Sequence, residues 1–298
     1  MDGILVINKP PGWTSHDVVG RVRGLTHQKK VGHAGTLDPM ATGVLLVCLG
    51  RATRVSEYLM ASDKTYRAVM RLGVETDTYD ADGQVVATQP VNVSESDLRG
   101  ALDKFIGAID QVPPMYSALK LQGKPLYKLA RKGVEVEREA RRVTIHGITL
   151  REWESPDATI DVRCSPGTYI RSLAHDIGAV LRGACGAHLI ALTRLASGSF
   201  TIEDAVKLGD LEGVENLGGL LHPIDAALQD LPAVTLDADS AQRVLMGHSI
   251  PLSGWDGSSL CRVYDANARF IAIMEYDSAA QLLRPTKVLA NEKATESS

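Results

Sequence analysis

The stretch GHAGTLDPMATGVLLVCL, residues 32–49, places a glycine-rich polar loop directly before an apolar run. Val44–Leu49 predicts a buried strand or the first turns of a buried helix. Asp38 carries the only full charge of the loop, and Pro39 restricts the backbone beside it. A carboxylate held in a dry, rigid loop can act as nucleophile or base. The pattern alone more often indicates a turn or helix-capping aspartate, so the residues leave both roles open.

On the N-terminal side of this loop, the sequence predicts one strand and one helix. Ile4–Ile7 reads as a strand, and the segment Lys9-Pro10-Pro11-Gly12 forces a turn after it. A helix should follow with Ser15 as its N-cap. Its buried face should carry Val18, Val19 and Val22.

On the C-terminal side, predicted strands outnumber helices and do not alternate with them regularly. Thr65–Leu72 alternates as a half-buried strand should, with Tyr66 on the apolar face. Ser94 begins a capping signature for a helix ending near Phe105. Further strands are predicted at Val143–Leu150 and Thr159–Cys164, and an amphipathic helix after Tyr169. This order predicts an α+β fold with a mixed, mostly antiparallel sheet rather than a doubly wound parallel one.

The amino-acid composition changes after Leu195, which predicts a second module. The acidic, glycine-bearing stretch Gly198–Asp230 is interpreted as the connection to it. Beyond that stretch we expect a short helix at Ser240–Met246 and strands at Leu260–Tyr264 and Phe270–Tyr276. The predicted organisation is a first domain over residues 1–228, a small β-rich domain over 229–292 and a disordered tail over 293–298.

Composition excludes several classes of protein. The chain has 298 residues, 44% hydrophobic and 23% charged, which provides for a buried core. Its N-terminus lacks the basic region of a signal peptide, and no apolar run approaches the roughly 20 residues of a membrane span. We therefore predict a cytoplasmic protein that does not bind a membrane.

Metal and nucleotide chemistry are disfavoured by the spacing of the relevant residues. The four cysteines form no C-x-x-C, and the eight histidines lack the spacing that places two zinc ligands on one helical face. Neither G-x-x-x-x-G-K-[ST] nor G-x-G-x-x-G occurs. No metal and no cofactor is predicted.

The distribution of charge favours a polyanionic partner, although the formal net charge is -4. Residues 120–142 contain eight basic side chains against three glutamates, whereas residues 203–239 contain nine acids against Lys207 alone. Phosphate affinity depends on local positive charge, so the basic stretch is a candidate RNA-binding insertion, which we place at about 110–142. An ordinary solvated face would give the same pattern.

The loop of residues 32–45 closely resembles the signature loop of the TruB-type tRNA pseudouridine synthases, which act on uridine 55 in the TΨC arm. Other segments recur in the family's order and spacing, over roughly residues 3–200. These are Asn8-Lys9-Pro10-Pro11-Gly12, Lys64-Thr65-Tyr66-Arg67, Val112-Pro113-Pro114-Met115-Tyr116-Ser117-Ala118, Gly167-Thr168-Tyr169-Ile170-Arg171-Ser172-Leu173 and Gly186-Ala187-His188-Leu189. The last sixty or so residues resemble the RNA-binding PUA-type domain that family members often carry.

The resemblance implies roles for individual residues. Asp38 corresponds to the family's catalytic aspartate and Arg171 to its partner arginine. The substrate-binding residues implied are Tyr66, which stacks on the flipped base, Tyr169 beside it, Leu192 as an apolar wall, and His33, which fills the gap left in the RNA. Separately, the charge of the basic stretch makes Lys124, Lys128 and Lys132 the expected contacts with the RNA backbone, together with Lys9.

The implied reaction requires few functional groups. Uridine becomes pseudouridine when C1'–N1 breaks, the uracil rotates and C5 bonds to C1', without redox change and without a cofactor. The enzyme must flip the base and hold the detached uracil beside one carboxylate. Whether Asp38 attacks C6, attacks C1' or removes a ribose proton stays open. The implied partner is the TΨC stem-loop of tRNA, and we expect a monomer without an obligate protein partner.

Two other functions fit parts of the pattern. Asp38-Pro39-Met40-Ala41-Thr42 faintly resembles the D-x-D-x-T loop of aspartyl-phosphate hydrolases, but Met40 stands where the second aspartate would hold magnesium. An RNA chaperone or binding module could also fold tRNA without modifying it. The need for Asp38 in the observed effect separates that module from an enzyme.

Overall fold

The structure, a computed structural model, describes residues 1–117, 136–181, 183–214, 216–255 and 259–289, together with the backbone of 120–121 and 124–125. The side chains of Lys124, Lys128 and Lys132 lie outside the described residues, as does the predicted tail 293–298.

The described chain contains one ten-stranded β-sheet, one five-stranded β-sheet and two two-stranded sheets, with a few helices packed on the two larger sheets. The strands are β1 Gly3–Lys9, β2 Val31–Ala34, β3 Thr42–Leu49, β4 Lys64–Leu72, β5 Val74–Thr76, β6 Val85–Thr88, β7 Gly107–Gln111, β8 Lys120–Leu121, β9 Lys124–Pro125, β10 Arg141–Glu154, β11 Asp157–Cys164, β12 Ala187–Ser197, β13 Phe200–Thr201, β14 Val206–Lys207, β15 Ala233–Thr235, β16 Ile250–Pro251, β17 Leu260–Tyr264, β18 Phe270–Asp277 and β19 Leu282–Val288. The α-helices are α1 Ser15–Thr26, α2 Ser56–Ala61, α3 Glu95–Asp103, α4 Ile170–Val180 and α5 Ala238–Leu245. Short 3-10 helices lie at Gly50–Val55, Ile202–Asp204, Leu208–Leu211, Leu217–Leu220 and Ile224–Leu228.

The larger sheet has ten strands in the order β14-β1-β3-β12-β4-β11-β10-β7, with β2 on β3 and β13 on β12. The pairs β1–β14 and β3–β12 are parallel, and the other pairs of this sheet are antiparallel. The prediction of an α+β fold with a mixed, mostly antiparallel sheet is therefore confirmed.

The apolar run after the polar loop is a strand because its two faces belong to two different cores. Leu45, Val47 and Leu49 pack into the main core, whereas Val44, Leu46 and Cys48 pack into a second cluster across the sheet. A strand sends alternate side chains to opposite faces, so a continuous apolar run is what a doubly covered strand requires.

The start of α1 differs from the prediction by one residue. Thr14, not Ser15, is the N-cap, and its hydroxyl accepts a hydrogen bond from the backbone N–H of Asp17 at 3.1 Å. The Asp17 carboxylate accepts in return from the Thr14 N–H at 2.8 Å, which completes a capping box. Ser15 is buried and bonds the backbone of Leu37 instead, so its hydroxyl serves the polar loop.

The acidic stretch 198–230 is not a free connection, contrary to the sequence interpretation. Its strand β14 extends the edge of the larger sheet in parallel with β1, and Ile4 exchanges backbone hydrogen bonds with His222 at 2.9 Å in both directions. Phe200 packs into the second cluster of the larger sheet. The short 3-10 helices carry too little periodicity to be recognised from sequence, which is why the stretch resembles a linker.

The smaller sheet has five strands in the order β15-β17-β18-β19-β16 and encloses its own apolar core with α5. The predicted β-rich C-terminal unit is confirmed. It contacts the larger unit through Val55, Leu228 and Ile273, and the guanidinium of Arg51 donates to the carbonyl of Leu289 at 2.8 Å. Within the described residues, no helix is long and apolar enough to cross a membrane.

Candidate active site

A cavity of about 300 Å³ opens where the polar loop meets the larger sheet. Its walls come from the loop 35–38, the segment 165–171, and the strands β4 and β12. Pockets for small ligands begin at about this size. The cavity can therefore receive a group the size of a nucleobase.

The loop that carries Asp38 is fixed by residues from the N-terminal strand and helix. The hydroxyl of Ser15 accepts from the Leu37 N–H at 2.9 Å. The carbonyl of Pro39 accepts from the Gly12 N–H at 2.8 Å and from the Lys9 ammonium at 3.2 Å. These bonds hold the backbone on both sides of Asp38, so its carboxylate has a preset position in the cavity wall.

Asp38 and Arg171 are brought together as predicted. Arg171 Nη2 donates to Asp38 Oδ1 at 3.1 Å. Nε lies 2.9 Å from Oδ2, an ion-pair contact whose geometry falls outside that of a hydrogen bond. The Arg171 side chain is 4% exposed and that of Asp38 is 34% exposed. The arginine therefore forms the buried side of the pair, and the carboxylate faces the cavity.

Arg171 has a second carboxylate partner that sequence reasoning missed. Nη1 lies 3.3 Å from Asp80 Oδ2 and donates to the carbonyl of Thr78 at 3.1 Å. Burial raises the pKa of Asp80, and Arg171 opposes that rise. The ring of Tyr79 stacks on His175 of α4 with 4.1 Å between centroids, which fastens the segment around Asp80 to the helix of Arg171.

Three of the predicted substrate-binding residues line the cavity: Tyr66 on β4, Leu192 on β12 and Tyr169 before α4. Burial raises the pKa of both tyrosines, so their hydroxyls stay protonated at neutral pH. Gln111 fixes Tyr169, because its amide accepts from the Tyr169 N–H at 2.7 Å and donates to the Tyr169 carbonyl at 3.0 Å.

His33 lies outside the cavity wall. It sits in β2 rather than in the loop, with its ring 5.1 Å from that of His16. Burial and the nearby charges of His16 and Arg194 lower its pKa to about 4, so the imidazole is neutral at physiological pH. Its expected contact with the gap in the RNA stays a prediction.

The placement of Lys9 argues against the expected contact with the RNA backbone. Lys9 is fully buried, and its ammonium donates to the carbonyls of Pro10, Trp13 and Pro39 at 2.7–3.2 Å. Burial lowers its pKa to about 8. Because all three N–H donors of the ammonium are used inside the protein, Lys9 supports the Asp38 loop and has no donor left for a phosphate.

Two buried cations in the cavity wall were not recognised from the sequence as site residues. Lys64 caps α2 by donating to the carbonyls of Leu59, Met60 and Ser62. Arg194 on β12 is 1% exposed. Lys64 could have been found from the motif Lys64-Thr65-Tyr66-Arg67, in which it is the first residue. Arg194 could not, because the strand that holds it, β12, was not predicted from the sequence.

Comparison with known sequences assigns the family. Residues 23–170 match "TruB family pseudouridylate synthase (N terminal domain)", residues 171–229 match "tRNA pseudouridylate synthase B C-terminal domain", and residues 232–289 match "Pseudouridine synthase II TruB, C-terminal". A protein of Thiobacillus denitrificans, "tRNA pseudouridine synthase B", is 46% identical over 99% of this chain and 98% of its own. This chain belongs to the TruB family of pseudouridylate synthases.

Further relatives agree with the TruB family assignment. A "tRNA pseudouridine synthase B" of Ralstonia nicotianae is 46% identical over 96% of this chain and 94% of its own. A solved chain of a Cbf5-Nop10-Gar1 complex superposes with a TM-score of 0.74 at 28% identity, covering 96% of this chain and 84% of that one. A chain of an H/ACA RNP bound to a substrate RNA gives a TM-score of 0.74 at 26% identity, with coverages of 98% and 86%. The TruB chain is therefore an enzyme that isomerises uridine to pseudouridine.

Proposed function

We propose that this enzyme converts uridine 55 in the TΨC loop of tRNA to pseudouridine, with Asp38 as its essential carboxylate. The observation that supports the proposal most strongly is the arrangement of groups around Asp38. A partly exposed carboxylate faces a cavity of nucleobase size and is held from behind by a buried arginine. The relatives named as tRNA pseudouridine synthases supply the substrate class.

The cavity wall suits a base that has left the RNA stack. Tyr66 presents a ring against which the uracil can stack, and stacking contributes about 1 to 3 kcal/mol per base. Leu192 gives an apolar wall, and Tyr169 lies beside the Asp38–Arg171 pair. Extrusion costs a few kcal/mol, so these contacts offset part of that cost.

Binding of the folded tRNA is assigned to regions outside the cavity. The basic stretch 120–142, which belongs to the catalytic unit that we place at residues 1–228, and the C-terminal unit, which we place at residues 229–292, would both contact the RNA. Lys124, Lys128 and Lys132 would pair with phosphates, which carry charge but no sequence information. The position of the modified uridine is then determined by the shape of the TΨC arm and by the cavity.

The proposal is tested with an unmodified tRNA transcript and a matched transcript in which uridine 55 is replaced by cytidine. Pseudouridine is mapped on both after incubation with the full chain. We expect one modified position, 55, in the first transcript and none in the second. Modification at another uridine, or equal modification of both transcripts, would contradict the assignment of the site.

A further inference from the structure

Arg194 is a buried cation in the cavity wall that has no role in the proposed function described above. Its Nε donates to the carbonyl of Val44 at 2.6 Å, and its Nη2 donates to the carbonyl of Gly35 at 3.1 Å. An arginine has five N–H donors, so these two backbone bonds leave others for further partners. The residue lines the cavity although its overall exposure is only 1%.

The two buried arginines of the cavity differ in their charge partners. Arg171 has two carboxylates, Asp38 and Asp80, within 3.3 Å. Within the described residues, no carboxylate lies within ion-pair distance of Arg194. Buried charges are normally paired because desolvation penalises an isolated ion. An unpaired buried guanidinium in a substrate cavity therefore indicates an anionic partner that is present only during the reaction.

The charges of the whole cavity wall also favour an anionic partner. Its charged side chains are Asp38, Lys64, Arg171 and Arg194, three cations against one carboxylate. The ammonium of Lys64 is engaged with helix carbonyls and Arg171 with carboxylates, so Arg194 is the cation with donors to spare. A neutral uracil needs no such excess, but a uracil anion does.

The reaction produces such an anion. When C1'–N1 breaks, the bonding pair stays with the uracil, whose negative charge is shared among N1, O2 and O4. Either a carboxylate oxygen then bonds to the electron-poor C1', or the carboxylate removes the proton from C2' and leaves a C1'=C2' double bond. After rotation, C5 bonds to C1' as the C1'–O bond breaks or as C2' takes its proton back. The ring then loses its C5 proton and N1 gains one, so no atom is gained or lost.

We propose that Arg194 is a further catalytic residue, which donates hydrogen bonds to the uracil oxygens and stabilises the negative charge of the detached ring. This inference rests on the proposed function, because it requires the uracil to sit beside Asp38. Donors preset in a water-excluded site are worth more than in water, since they need no reorganisation when charge develops.

The surroundings of Arg194 fit this role. It lies opposite Tyr66 in the β4–β12 register, and its positive charge opposes the rise that burial causes in the pKa of Tyr66. The same guanidinium lowers the pKa of Lys9, His33 and Lys64, after the larger effect of burial. The positive charge of Arg194 thus acts on several groups along this wall.

The test uses Arg194→Gln and Arg194→Lys in the full chain, with Arg67→Gln as a matched control. Arg67 lies on β4 beside Tyr66 but faces solvent, where it pairs with Asp161. We expect Arg194→Gln to lower the single-turnover rate constant by about 100-fold or more, as the loss of one oxyanion-hole donor does. Its Kd for tRNA should stay within about threefold, and Arg67→Gln should match wild type.

A pH profile separates charge from structure, also if the glutamine variant fails to fold. In Arg194→Lys, the new ammonium would face Lys9, His33, Lys64, Tyr66 and Asp38. Burial lowers the pKa of both lysines there to about 8, and the same burial should lower the pKa of the new ammonium. The variant's rate relative to wild type should therefore fall toward alkaline pH, because a guanidinium keeps its charge there.

The outcomes decide the inference independently of the proposed function. Wild-type turnover in both Arg194 variants, a reduced rate explained by an equal reduction of tRNA affinity, or a flat ratio against pH would each overturn the role of Arg194. If Asp38→Asn is inactive while the Arg194 variants are unchanged, only this inference fails. If Asp38→Asn retains turnover, the proposed site itself fails.

Discussion

Arg171 Nε lies 2.9 Å from Asp38 Oδ2, although the two residues are 133 positions apart in the chain. The loop after β2 supplies the carboxylate and the first turn of α4 supplies the guanidinium. Because Nη1 of the same arginine also reaches Asp80, the guanidinium ties three separate segments together. Its planar fork is suited to such multiple contacts, which a lysine cannot reproduce.

Replacing Arg171 should therefore impair catalysis in a graded way. Arg171→Ala leaves Asp38 and Asp80 without their shared cation, so we expect at least a 100-fold loss of turnover and a loss of stability of a few kcal/mol. Arg171→Lys should recover only part of the turnover. Single-turnover kinetics and denaturant unfolding measure both effects, with Arg67→Lys as the control for an exposed pair. Wild-type turnover in both Arg171 variants would remove the pair from the mechanism.

The sequence predicted most elements that have a clear period. The alternation of Thr65–Leu72 identified β4 and the correct buried face, with Ala68, Met70 and Leu72 fully or almost fully buried. Ser94 was correctly placed as the N-cap of α3. Such signals are local, because the residues that carry them are neighbours in the chain.

The sequence did not predict features whose partners are distant in the chain. Strand β12 lies between β3 and β4, and its buried His188 and Arg194 break the alternation expected of a strand. Asp80 could not be recognised as a site residue because its role depends on the ion pair with Arg171, which forms only in the folded chain. Lys9 resembled a surface phosphate contact, and only tertiary structure shows that its ammonium is enclosed by carbonyls.

The buried ammonium of Lys9 makes stability depend on pH in alkaline solution. Its pKa is about 8 in the folded chain against 10.5 for a free side chain. Between these values the unfolded chain binds more protons, so the free energy of unfolding should rise with pH. Each pKa unit corresponds to about 1.4 kcal/mol, which gives a rise on the order of 1 to 3 kcal/mol from pH 8 to pH 10.5.

The measurement compares wild type with Lys9→Met by denaturant unfolding at several pH values. The difference in unfolding free energy should shift in favour of wild type as pH rises through this window and stay constant below it. A difference that is constant across the window, or that shifts the other way, would contradict the assignment of the titration to Lys9. The control is Lys29→Met, which replaces an exposed lysine of the loop before β2.

The basic stretch should act through phosphates alone. Replacing Lys124, Lys128 and Lys132 together by glutamine should weaken binding to every RNA tested. On a duplex, the salt slope of log K should fall by up to about 0.9 for each phosphate that the variant no longer neutralises, and by less on single strands. The modified uridine should stay the same, because phosphate contacts do not read sequence. Unchanged affinity and slope would make this stretch an ordinary solvated face, and a shifted uridine would mean that it reads the RNA.

The role of Asp38 is tested most directly by Asp38→Asn, a nearly isosteric change that removes the carboxylate charge. Pseudouridine formation on unmodified tRNA is followed under single-turnover conditions, and Kd is measured on the same preparation. We expect turnover at background with binding within a few-fold of wild type, because the carboxylate acts on the flipped uridine and not on the tRNA as a whole. Turnover near the wild-type rate in this variant would show that Asp38 is not the essential carboxylate.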